Sequence, residues 1–242
     1  MHGFTIEEVR AHWDAVGIDY DRSNDRVRRI HHQRFRQAMA LWEAHGKHLA
    51  AVRPLRILNV WSRTGEALPY LRERSPDAEI VNLEASEVMI GISREKFPRE
   101  MFGKTDLSPA TLFFPEPFHF LLCLETLEHC PAPRAFLAAL FRALHPEGIL
   151  VLSTPTATME IPQRLYERIS RDHGEGPHRF YCSREVKRML AAEGFRLREH
   201  VGTLFFPVEC GLALSLSERI APAMNALRLS DLGLRQFYVA GK

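Results

Sequence analysis

The stretch "ETLEH", residues 125–129, sets two carboxylates and an imidazole within five positions, and a further histidine follows in "GPHRFY" as His178. Histidine titrates near neutral pH, so His129 suits a general base with Glu128 orienting its ring; alternatively, both are local hydrogen-bonding groups. Glu84 closes the apolar run "IVNLE". A carboxylate there accepts two hydrogen bonds from a ribose diol or, equally, caps the next helix. Asp106 in "KTDLS" is placed to accept from an adenine amino group or to make an Asx turn. Upstream, "ILNVWSRTGEA" reads as a strand entering a ligand-binding turn, but one whose single glycine is Gly65.

These residues act together only on a scaffold that sets strand ends side by side. Residues 1–50 read as helical. "RIHHQRFRQAMALWEAHGKHL" spaces Ile30, Phe35, Met39, Leu41 and Trp42 near helical period, and its basic residues predict a solvated face rather than a nucleic-acid helix. "LRILNV", "EIVNLE", "FHFLLCL" and "ILVLSTP" are short apolar runs suited to buried strands. Between them, "EALPYLRER" is a helix candidate whose Pro69 must sit near its first turn or break it, "SEVMIGISREKF" starts at the N-cap Ser86, and "PRAFLAALFRALH" is amphipathic and ended by "PEG". Alternating strands and helices imply a parallel sheet with helices on both faces.

In the last third, "MEIPQRLYERISRDHG" predicts a helix, "EGPHRFYC" an irregular link, and "SREVKRMLAAEG" a helix capped by Ser183 and stopped by Gly194. "FRLREHVGTLFF" is a strand, 211–227 a helix, and "RQFYVAGK" a closing strand. The reading is one domain: a helical cap over 1–50, a ligand-binding core over 55–155, a lid-like excursion over 156–182 and the C-terminal part of the sheet over 183–242.

Together these segments resemble class I S-adenosylmethionine-dependent methyltransferases from about residue 50 onward. "LRILNVWSRTGEALPYL" is similar to the family's first motif, an acid-x-Gly-x-Gly-x-Gly run, and "VNLEAS" to its second-strand acid. "FHFLLCLETLEHCPAPRAFLAALFRALHPEGILVLSTP" resembles its fourth strand, helix and fifth strand, and "GPHRFYCSREVKRMLAAEGF" a segment before the sixth. The resemblance implies a Rossmann-like α/β fold, a doubly wound sheet of seven strands with an antiparallel last strand. It also implies S-adenosylmethionine as cofactor, with Asn59, Trp61, Arg63, Gly65, Glu84, Asp106, Leu107 and Leu124 as its contacts. The chain departs from the pattern at Asn59, where an acid is common, at Trp61 and Arg63, which stand at two glycines, and at His119, which replaces a common Asp. Glycine permits positive φ and close backbone approach, so Trp61 and Arg63 predict a rebuilt loop or a different ligand pose. Arg63 either contacts the methionine carboxylate, points to solvent or pairs with Glu84.

E-x-x-E-H followed by a distal histidine is also similar to methyltransferases that bind a divalent metal. That likeness implies Glu125, Glu128, His129 and His178 as ligands, a set suited by type to Mg, Mn or Zn. A metal there lowers the pKa of a substrate hydroxyl. Without a metal, His129, Glu128 and His178 are the catalytic candidates.

Composition narrows the function classes. The chain has 242 residues, with 32 basic and 30 acidic side chains for a net charge of +2, too balanced to argue for nucleic acid. Cysteines 123, 130, 182 and 210 have no C-x-x-C spacing and read as reduced thiols. Neither a signal core near the N-terminus nor an apolar run of roughly 18 residues is present, which predicts a soluble, cytoplasmic protein without a membrane span. A small-molecule methyltransferase acting at oxygen is the leading expectation. A non-catalytic relative whose altered loop serves a partner is the alternative. A dinucleotide oxidoreductase ranks last, because G-x-G-x-x-G is absent.

Overall fold

Seven strands form a single sheet in the order β3-β2-β1-β4-β5-β7-β6. The strands are β1 (Arg56–Val60), β2 (Glu79–Glu84), β3 (Met101–Lys104), β4 (Phe118–Leu124), β5 (Leu144–Pro155), β6 (Arg196–Thr203) and β7 (Arg235–Gly241). β1 through β5 pair in parallel, and β7 runs antiparallel to both β5 and β6. This is the doubly wound architecture expected from the alternation. The computed structural model describes residues 3–159, 176–206 and 211–242. The helix expected over "MEIPQRLYERISRDHG" falls largely outside them, as does Cys210.

Alternate residues of each central strand feed two separate cores, one on each face. Leu58, Val60, Leu121, Cys123, Leu150 and Leu152 join one cluster, which also takes Val9 and Trp13 from α1 (Ile6–Gly17) and Leu137 and Leu140 from α6 (Pro133–Ala143). Ile57, Phe120, Leu122, Ile149 and Val151 join the other, with Phe35, Leu41 and Trp42 from α3 (Arg28–His45) and Leu71 from α4 (Leu68–Arg74). Runs without polar positions are what a strand buried on both faces requires. Trp42 stacks on Phe120 with ring centroids 4.1 Å apart.

The helical cap is three helices, α1, α2 (Tyr20–Arg26) and α3. Thr5 begins α1 with a reciprocal capping box to Glu8. Ser86 caps α5 (Glu87–Lys96) through Met89 N, as its position predicts. The helix α7 (Ser183–Ala192) starts one residue earlier than expected: Cys182 is its N-cap, and its N–H is bonded to Glu185 at 2.9 Å. α8 (Gly211–Ala226) contains Pro222.

"PEG" does not end α6 with a turn. The helix stops at Ala143, and β5 begins at once with Leu144 paired to Phe118, followed by a register shift before Ile149 meets Phe120. β3 escaped the pattern reading because four residues with an exposed Met101 and a glycine show no alternation. Among the described residues no helix is long and apolar enough to cross a membrane. Cys123 and Cys130 are buried free thiols, and Cys182 is an exposed one.

Asn59, expected as a cofactor contact, is used inside the sheet. Its amide donates to Asn82 Oδ1 at 2.9 Å, and Asn82 Nδ2 donates to the Met101 carbonyl at 3.1 Å, linking β1, β2 and β3 through side chains. Both asparagines are buried. Asn82→Ala leaves the Asn59 amide without its acceptor, so urea unfolding should show a loss of about 1–3 kcal/mol; an unchanged midpoint would refute this bridge.

Candidate functional site

The loop after β1 keeps the backbone that glycines would give it. Trp61 has φ 60°, Arg63 φ 53° and Gly65 φ 81°, all left-handed. Of the two expectations, a rebuilt loop or a different ligand pose, the structure bears on the first only: the sign of φ is that of a glycine at both positions. The adaptation lies in the side chains, which turn inward: Trp61 is 3% exposed and Arg63 6%.

Glu84, at the end of β2, secures this loop. Its Oε2 accepts the Arg63 backbone N–H at 2.8 Å, and its Oε1 accepts those of Ala85 and Ser86 at 2.8 and 3.0 Å. Burial pushes the carboxyl up, opposed by Arg63's charge and by these three donors. Arg63 thus meets Glu84 through its backbone. Its guanidinium lies over two indoles, 3.7 Å from the Trp13 ring centroid and 4.7 Å from that of Trp61. Arg63 Nη1 has no hydrogen-bond partner among the described residues.

The helical cap seals the loop from above. Ser86 Oγ donates to Asp14 of α1 at 2.6 Å, and Thr64 Oγ1 donates to Asp21 of α2 at 2.5 Å. Lys96 reaches Asp21 at 2.9 Å. Asp106 takes up its Asx role, accepting from Ser108 N at 2.8 Å and Thr111 Oγ1 at 2.7 Å. It also borders a cavity of about 260 Å³ with Ile6, Arg10, Ala85 and Lys104. Leu107, left-handed at φ 59°, is buried in the core beside it.

After β4 the chain makes another left-handed step, Glu125 at φ 49°, and a 3₁₀ turn, Leu127–His129. The expected metal set is not assembled. Arg34 and Arg235 each hold a different Glu125 oxygen at 2.5 Å, turning that carboxylate away from metal ligation. Burial alone would raise Glu125, but the two arginines hold it well below the usual carboxylate range. Among the described residues no three His, Cys, Asp or Glu side chains cluster as a metal site. Glu128 and His129 are buried nearby, and the His129 and His178 rings lie 6.4 Å apart, edge to face.

His178 Nδ1 lies 2.7 Å from the Gly176 carbonyl, and its ring stacks on Phe180. His129 Nδ1–H donates to the Pro177 carbonyl at 3.0 Å, which leaves Nε2 as the acceptor nitrogen; Nε2 has no partner among the described residues. Burial, then repulsion from Arg63, lowers His129 to about 3, far from the ordinary 6.5 expected of a plain base.

Several residues of this region escaped the sequence reading. Arg34 is buried and contacts Glu125 and Tyr20, and His31 lies 2.8 Å from Glu66. The signal was present: His31, Arg34, Phe35, Ala38, Leu41 and Trp42 are one buried stripe of α3, so two ionisable side chains sit on the apolar face instead of in solvent. Burial and Arg34 lower His31 to about 4.

The polar frame fits an adenosyl cofactor: an acid ends β2, Asp106 follows β3, and left-handed backbone occurs at 61, 63, 65 and 107. Part of the space at the ends of β1 and β4 is filled by side chains. The crevice bounded by Arg34, Asn59, Trp61, Arg63, Glu66 and Leu124 has a volume of about 10 Å³. Pockets for ligands of that size run to roughly 300 Å³ or more.

A methyltransferase-domain family model matches residues 30–200. The trans-aconitate 2-methyltransferase of Methylobacterium nodulans is 29% identical over 145 residues, 60% of this chain and 52% of that protein. The ubiquinone biosynthesis O-methyltransferase of Psychrobacter arcticus is 31% identical over 101 residues, 38% of each chain. The matches thus span about half or less of these relatives' length. Among solved structures, the magnesium protoporphyrin IX methyltransferase of Synechocystis PCC 6803 with bound SAH aligns with TM-score 0.65 at 15% identity, covering 96% of this chain and 97% of that one. The [4+2]-cyclase SpnF aligns with TM-score 0.56 at 16% identity, covering 84% and 81%.

The depressed histidines set an acid dependence. Folded His129 and His31 take up protons near pH 3 and 4, whereas unfolded histidine does so near 6.5. Between these values the unfolded chain binds more protons, so stability is full above pH 6.5 and falls as pH drops below it. Urea unfolding across pH 7 to 5 should show a decline of up to ~1.4 kcal/mol per pH unit for each of the two histidines, and His129→Asn should reduce the slope. A flat profile over that range would contradict the buried neutral imidazoles.

Proposed function

The chain belongs to the methyltransferase-domain family, and from that membership we propose that it is an S-adenosylmethionine-dependent methyltransferase acting on a small molecule at oxygen. One observation carries this beyond the fold: the three left-handed positions 61, 63 and 65, with Glu84 bonded to the Arg63 amide, keep the form of a cofactor loop although two glycines are gone. The fold alone assigns no reaction, since a cyclase shares it.

The cofactor, when bound, supplies a methyl group on a sulfonium, which reacts with a nucleophile aligned behind it. In this reading Asp106 bounds its nucleoside end, and Glu84, whose oxygens already accept three backbone N–H groups, fixes the loop that the nucleoside meets. The turn at 61–65 and Leu124 bound the other end. His129, whose Nε2 has no partner among the described residues, is the candidate catalytic residue, with Glu128 and His178 beside it. A base this weak at neutral pH helps an alcohol little. A carboxylate is already ionised and needs only positioning, so an organic acid is the acceptor class we favour. Relatives named for trans-aconitate, itself an acid, support that choice.

The filled crevice favours a second reading, a methyltransferase-like domain that serves a partner and takes no cofactor. Calorimetric titration with S-adenosylhomocysteine separates the two. Binding at or below millimolar concentration is expected, and Glu84→Ala, which removes the acceptor that holds the Arg63 N–H, should weaken it by about 1.5–3 kcal/mol, the range for hydrogen bonds to a charged group. If neither the wild type nor a chain opened at Arg63 binds the cofactor or its product, the second reading replaces the first.

A further inference from the structure

The side chains that fill the crevice are not an ordinary apolar plug. Arg63 brings its guanidinium into the interior, where it acts on the Glu84 carboxylate through charge alone, with no ion pair to it among the described residues, and lies over two indoles at 3.7 and 4.7 Å. Glu84 is committed to three backbone N–H groups, and Glu125 to Arg34 and Arg235. His129 stands at the same place, its ring 5.6 Å from each of Trp13 and Trp61. A buried cation is costly unless it is paired, and indole faces are the partners chosen here. Trp13 comes from the cap, which is held down by Asp14 on Ser86 and by Asp21 on Thr64 and Lys96.

We propose that Trp13 and Trp61 form the seat for the cofactor's sulfonium, and that Arg63 is an internal cation occupying that seat until the cofactor displaces it. The inference rests on the methyltransferase reading and adds to it a cation-selective subsite built from a cap residue. Ring faces attract a guanidinium and a sulfonium by the same quadrupole field. Arg63 stands where a glycine would leave the seat empty, so binding is coupled to its withdrawal and to lifting of α1. One further consequence distinguishes this seat from plain volume filling: S-adenosylmethionine is cationic at sulfur, and S-adenosylhomocysteine is a neutral thioether.

The test compares both ligands on the full-length wild type and on Arg63→Ala by calorimetry, with far-UV circular dichroism and urea unfolding to verify the fold. S-adenosylmethionine should bind Arg63→Ala at least about tenfold more tightly than the wild type, and its gain should exceed that of S-adenosylhomocysteine. Trp13→Leu serves as a second variant; by removing one ring face it should lower the preference for S-adenosylmethionine over S-adenosylhomocysteine. Equal gains for the two ligands would overturn the cation seat and make Arg63 a space filler. Unchanged or weaker binding in Arg63→Ala, with the wild type binding well, would overturn the inference and leave the methyltransferase reading intact. Binding of neither ligand to any of the three proteins would remove both.

Discussion

One buried carboxylate organises the edge of the sheet at which β1 and β2 end. Glu84 lies wholly inside, and such a group is stable only when its oxygens are saturated with donors. Three backbone N–H groups do this, one from the loop after β1 and two from the turn after β2. The first of them belongs to Arg63, a left-handed residue, and Ser62 N adds a bond to the Leu83 carbonyl at 2.8 Å. Left-handed backbone at non-glycine residues costs of order 1 kcal/mol each, which these bonds offset. From this knot the cap follows: Ser86, next to Glu84, is the residue that Asp14 grips.

Glycine does two things in a ligand loop, and this chain separates them. The conformational role survives without glycine, because Trp61 and Arg63 hold the same sign of φ as Gly65. The other role, leaving space, is given up: a tryptophan and an arginine now project into the interior. The cap completes the closure with Trp13, so the site is sealed by residues from two distant parts of the chain. The adjoining cavity beside Asp106 and Ala85 stays open at about 260 Å³.

A second charge cluster ties the cap to the far strands. Glu125 lies between Arg34 of α3 and Arg235 of β7, and Arg235 also donates to the Ile30 carbonyl and Gln33 at 3.1 Å. Glu66 joins from the β1 side; burial works against its ionised form, but His31 and Arg34 bring it down to about 2. Leaving one member of such a buried set unpaired typically costs 3–5 kcal/mol. The cluster holds α3 rigidly against the strand ends.

The scaffold can be read from local pattern. Strands such as "FHFLLCL" and "ILVLSTP" are apolar at most positions because both faces are covered, and the helices between them carry start and stop signals. Local pattern reports which face a residue takes, so Glu84 and the segment 125–129 were legible as lying at strand ends, and Asp106 as an Asx-turn residue. β3 was not, because four edge residues bury too little to leave a pattern. Tertiary structure alone decided partners. Glu125 reads as a metal ligand until Arg34, 91 positions earlier, and Arg235, 110 positions later, reach it. Asn59 reads as a ligand contact, and the structure adds a bond from its side-chain amide to Asn82. Whether Trp61 and Arg63 would disturb the loop or fill it depended on contacts with Glu84 and Trp13. Such pairings are made between segments far apart in the chain, and periodicity carries no record of them.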